Sequence, residues 1–66
     1  MKVTFIVDGE TLETELDEGA TVRDALASVE ISPSTVLAVH DGVIIPHDSR
    51  LNGDVTMELV VVSSGG

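Results

Sequence analysis

At 66 residues the chain reads as one domain near the lower size limit for independent folding, with little room for a substrate pocket beside its core. It has no cysteine, which excludes a disulfide framework, a thiolate nucleophile and a sulfur-ligated metal. Twelve Asp and Glu stand against only Lys2, Arg23 and Arg50, a formal net charge of −9, so no basic surface exists to hold a nucleic acid or an anionic membrane.

Lys2 to Val7 is β-branched and aromatic and ends at Asp8-Gly9, a strong hairpin-turn signal. Thr11 to Leu16 then alternates, with Leu12, Thr14 and Leu16 on one face and Glu13 and Glu15 on the other. Glu13 and Glu15 therefore read as a solvated strand face and not as a metal or acid–base pair. Asp17 to Ala20 is a loop. Thr21 is suited to cap a helix, and Asp24 three residues later completes a capping-box pattern. Val22, Ala25, Leu26 and Val29 recur at helical spacing, which predicts an amphipathic helix to about Glu30, closed by Ser32-Pro33.

Val36 to Val39 is a continuous apolar run that leaves its own register open. It leads through His40 to Asp41-Gly42 and a short return strand, Val43 to Ile45, that Pro46 ends or marks as an edge. Asn52-Gly53-Asp54 is a further turn, and Val55 to Val62 the longest strand, with Val55, Met57, Leu59 and Val61 predicted to face the helix. A helix between two hairpins, followed by one more strand, is accommodated by laying the helix across one face of a mixed sheet. The first and last strands then become parallel central neighbours. The expected class is α+β, a ubiquitin-like β-grasp with four to five strands over residues 1–62 and a flexible tail over 63–66.

That tail ends on Gly65-Gly66. Two glycines make a thin backbone that passes a narrow channel in almost any conformation. A terminal carboxylate can thereby be presented to another protein's active site. The residues Asp41-Gly42-Val43-Ile44-Ile45-Pro46, then Leu51-Asn52-Gly53-Asp54-Val55, then the strand ending in Gly65-Gly66, resemble the ubiquitin-like β-grasp sulfur carriers and modifiers of archaea and bacteria. Within them, length, acidity and the compact stretch between Pro46 and Leu51 are most similar to the small archaeal modifier proteins of the second type, in a haloarchaeal form.

The resemblance implies a chemistry in which the chain is substrate and carrier, not enzyme, and binds no cofactor of its own. An activating enzyme uses ATP to adenylate the carboxylate of Gly66, next to Gly65. A sulfur donor then forms a thiocarboxylate for an acceptor enzyme, as in tRNA thiolation, or a lysine of a target protein forms an isopeptide bond. Related carriers dock through the sheet face opposite the helix, which here would present Val60 and Val62, with Leu37 and Val39 if that strand points outward. Lys2 is the one lysine available as a conjugation acceptor, and the last strand carries Glu58 where chain-forming relatives have a lysine. A dedicated carrier for thiamine or molybdopterin synthesis, or a β-grasp binding domain that is never activated, are the alternative readings.

The remaining candidates are weak. His40 and His47 lack an ordered acidic ligand set, so no metal is expected, and His40 reads as a neutral histidine beside a turn, partly buried. His47-Asp48-Ser49 holds triad residue types, but adjacent residues do not converge on one point. No run approaches the roughly 20 apolar residues that span a bilayer, and Met1-Lys2-Val3-Thr4 lacks a signal-peptide pattern. A monomer in the cytoplasm is expected. A charge of −9 on so small a body repels itself, and salt screens that repulsion. The melting temperature is therefore expected to rise between dilute buffer and molar KCl; a scan showing no rise would contradict the reading of a salt-adapted protein.

Overall fold

Two hairpins, one helix and a last strand make a single five-stranded sheet with the helix across one face. The structure, a computed structural model, describes residues 1–62; the sequence readings at Ser63, Ser64, Gly65 and Gly66 lie outside the described residues. Strands β1 (Lys2–Val7) and β2 (Glu10–Glu15) pair antiparallel around Asp8 and Gly9, at φ 54° and 77°. Strands β3 (Val36–His40) and β4 (Val43–Ile45) repeat the device around Asp41 and Gly42, at φ 55° and 79°. Both are two-residue turns with two successive positive φ angles, whose twist matches that of the flanking strands. Strand β5 (Val55–Val61) lies between the hairpins, parallel to β1 and antiparallel to β3, so the order is β2-β1-β5-β3-β4.

Helix α1 (Val22–Ser28) buries Val22, Ala25 and Leu26 against Val3, Phe5, Val36, Ala38, Met57 and Leu59. Its start is fully satisfied. The Val22 N–H donates to the Ser49 carbonyl at 3.2 Å, and the Arg23 N–H to the His47 carbonyl at 2.9 Å. The Asp24 N–H donates to Thr21 Oγ1 at 3.2 Å, and the Thr21 N–H returns the bond to Asp24 Oδ2 at 3.0 Å. The three donors that would otherwise be orphaned at a helix start thus all have partners. The hydrogen bond from the Thr21 backbone, then the one from its hydroxyl, hold the Asp24 carboxyl below its usual range. Asp24 accordingly contributes stability above the ordinary aspartate pKa, and loses it as pH falls through the lowered value.

The helix ends earlier than its periodicity predicts, at Ser28 and not near Glu30, and proline is not what stops it. Glu30 takes a left-handed conformation, φ 62°, and the chain reverses there. The Ile31 N–H donates to the Leu26 carbonyl at 2.9 Å and the Glu30 N–H to the Ala27 carbonyl at 3.1 Å, the paired bonds of a Schellman motif. Pro33 instead opens a short 3₁₀ turn, Pro33–Thr35, that delivers the chain to β3. Val61, on the helix side of β5 by alternation, is 58% exposed because the strand runs past the end of the covered core.

The helix stop and the last strand each set a measurable stability difference. Glu30 carries the left-handed penalty of a residue with a Cβ, of order 1–2 kcal/mol, and places an acid at the negative end of the helix. Glu30→Gly is expected to raise the melting temperature by about 4–8 °C, the shift that ~1 kcal/mol gives in a domain of this size. Along β5, Leu59→Ala is expected to cost about 2–5 kcal/mol in chemical denaturation, whereas the outward Val60→Thr changes stability by no more than about 0.5 kcal/mol.

Candidate functional site, an apolar sheet face around one carboxylate

The face of the sheet away from α1 is divided. On the β1–β2 side it carries Thr11, Glu13 and Glu15 opposite Ile6, Thr4 and Lys2. Glu13 and Glu15 are exposed, as a solvated strand face requires. On the β3–β5 side it is largely apolar, and the pairing registers say why.

Val36 and Ala38 are buried, so Leu37 and Val39 point the other way. This resolves the register that the apolar run left open. Leu37 is the cross-strand partner of Val60, and Val39 the partner of Glu58 on one side and Ile44 on the other. Ile6, on β1, is the partner of Glu58 from the opposite direction. Three residues of the face are exposed large aliphatics, Ile6 at 40%, Ile44 at 58% and Val60 at 46%, while Leu37 and Val39 are half-buried between them. Large contiguous apolar surface of this kind marks an interaction site more often than it occurs by chance.

Of the residues named from sequence, Leu37, Val39 and Val60 are brought together. Val62 follows Val60 by two positions, lies one residue past β5, and is 52% exposed with its N–H donating to the Thr35 carbonyl at 2.9 Å. Sequence reasoning missed Ile44 and Ile6. Ile44 was within reach, because a two-residue turn at Asp41-Gly42 sets residue 44 opposite residue 39. Lys2 is exposed at the far end of β1, its backbone N–H donating to Asp54 Oδ1 at 2.7 Å. Gly65 and Gly66 lie outside the described residues.

His40 is exposed, not partly buried, because the strand alternation carries it beyond the helix, where Nδ1 lies 3.1 Å from the Thr56 carbonyl. Asp48 is turned to Arg23, 3.1 Å away, and so makes no relay with His47 and Ser49. Among the described residues no group of three or more His, Asp and Glu is placed to hold a metal, and no helix is long and apolar enough to cross a membrane.

Residues 1–62 match the family described as small archaeal modifier protein 2. No curated protein sequence matches the chain. Among solved structures it is similar to a Caldiarchaeum subterraneum ubiquitin, with a TM-score of 0.73 at 20% identity, over 100% of this chain and 98% of that one. At that identity the likeness establishes the fold alone: a five-stranded mixed sheet with one helix, the ubiquitin-like β-grasp. With 1–62 accounted for by one family and the fold in agreement, the chain belongs to the small archaeal modifier protein 2 family of ubiquitin-like modifiers.

Proposed function

We propose that the chain is a protein modifier and sulfur carrier that reacts through the carboxylate of Gly66. The observation that carries this reading is the family match over residues 1–62, and Gly65-Gly66, which follows that stretch in the sequence, supplies the reacting residues we assign. A carboxylate is a poor electrophile, and the described residues of this chain offer no group to activate one. Activation is therefore assigned to a separate adenylating enzyme using ATP. A Gly66 carboxylate oxygen attacks the α-phosphorus, pyrophosphate leaves, and the acyl adenylate remains. A sulfide-level sulfur donor then attacks the acyl carbon and AMP leaves, giving a thiocarboxylate without any change of oxidation state, or a target lysine amine replaces AMP and loses a proton to give an isopeptide bond.

The body's part is recognition. The outward face built from Leu37, Val39, Ile44 and Val60 is the docking surface we assign to the activating enzyme, since it adjoins the strand that leads to Gly65-Gly66. The chain itself is substrate and not catalyst, acts as a monomer in the cytoplasm, and touches tRNA only through an acceptor enzyme. Lys2 is exposed, so it is open to single conjugation by another copy.

The test is an intact mass of the protein purified from its native host, with a blot for larger covalent adducts. A species heavier by one oxygen-for-sulfur exchange at Gly66, and adducts lost on deleting Gly65-Gly66, are expected together. An unmodified mass with no adducts in any growth condition would leave a binding domain that is never activated. A thiamine or molybdopterin requirement on loss of the gene would redirect the sulfur to those syntheses.

A further inference from the structure

The apolar face is not uniformly apolar, and its one charge stands in the middle. Glu58 has Ile6 beside it on β1 and Val39 beside it on β3, with Val60 two residues on along β5 and Ile44 next beyond Val39. Its carboxylate makes no ion pair among the described residues. The chain's own cations are placed elsewhere. Arg23 is paired with Asp48, the Arg50 guanidinium lies on the Gly19 carbonyl at 3.4 Å, and Lys2 sits opposite Glu15 at the far end of β1.

A partner closing over Ile6, Val39, Ile44 and Val60 must also cover Glu58. Covering a carboxylate without a counter-charge is strongly unfavourable, because the ion loses its water and gains nothing. A second copy of this chain is a poor occupant. Two such faces meeting about a twofold axis would bring Glu58 against Glu58, between bodies that each carry −9.

We propose that Glu58 is a specificity element of the docking face, and that the partner seated there presents an arginine at the centre of an apolar contact. Arginine fits better than lysine. Its guanidinium is weakly hydrated, lies flat on aliphatic side chains, and donates two parallel N–H bonds to one carboxylate. The inference rests on the proposal that the activating enzyme docks on this face, and it names what that enzyme must carry. The strongly acidic surround adds long-range attraction for a basic contact surface, which acts chiefly on the rate of encounter.

The experiment is ATP–pyrophosphate exchange by the purified adenylating enzyme of the same host, with the wild-type chain, Glu58→Gln, Glu58→Lys and Val60→Ser as substrates. Melting curves would show that each variant is folded. Glu58→Gln keeps the shape and removes the charge, so it is expected to raise KM by about tenfold or more with kcat unchanged, and to weaken the salt dependence of kcat/KM. Glu58→Lys is expected to be worse again, and Val60→Ser impaired. Should both Glu58 variants be activated as well as wild type while Val60→Ser is impaired, the face docks but no cation meets Glu58, and the proposal falls while the docking surface stands. Unchanged kinetics for all three variants would overturn both.

Discussion

Everything in this fold depends on the parallel pairing of β1 with β5. It joins the two ends of the sequence at the centre of the sheet, with Phe5 beside Met57 and Val3 beside Val55. A contact between chain ends is entropically costly to close and is not rewarded until it buries something. What it buries is the core itself, since Phe5, Met57 and Leu26 are all almost wholly excluded from water. Phe5 is the only aromatic residue. Truncating a buried Phe costs about 3–5 kcal/mol, against a total stability of about 5–15 kcal/mol for natural domains. One side chain on one central strand thus accounts for a large share of the margin between this chain and the unfolded state. Strand β2 flanks that pair on one side and the β3–β4 hairpin on the other, and the helix is the lid over it.

The same pairing makes a surface as well as a core. Because side chains alternate, a strand that buries Met57 and Leu59 toward the helix must send Glu58 and Val60 to the other side. The core and the outward apolar face are therefore two sides of one strand. Where β2 supplies the outward residues the face is acidic and wet; where β3 and β4 supply them, joined by Ile6 of β1, it is aliphatic. Arg23 and Arg50 are held in local structural contacts, which leaves the outward carboxylates to act on whatever approaches.

Much of this architecture is legible in the residues themselves. Asp8-Gly9 and Asp41-Gly42 announce both turns because only a few residue types accept two positive φ angles in succession. Thr21 and Asp24 announce the helix start because their side chains make the cap. The features that stay hidden have no residue-type signature. The helix stop rests on Glu30, a residue whose side chain gives no reason to adopt a left-handed conformation. The remaining donors of the first helical turn are met by the carbonyls of His47 and Ser49, which any residue would carry. Val36 to Val39 is apolar at both parities, so only the pairing with β5 settles its register. Leu37, Val39 and Val60 can be nominated one by one, but the central place of Glu58 emerges only when the β1, β3 and β4 registers are laid side by side. For Gly65 and Gly66 the reading remains one of sequence and family.

Among the described residues the last tether between chain and body is the bond from the Val62 N–H to the Thr35 carbonyl, just past the pairing of Val61 with Val36. Covalent geometry bounds what lies beyond it. Five residues run from the Val62 nitrogen through Gly66, and a fully extended chain spans at most ~3.3–3.6 Å per residue, so the carboxylate of the proposed reaction lies no further than about 18 Å from that anchor. Any enzyme that seats the sheet face and reacts with the carboxylate must hold its own catalytic centre within that radius. On the proposed function the body would work as a ruler, excluding every enzyme whose seat and reacting centre are spaced more widely than that span.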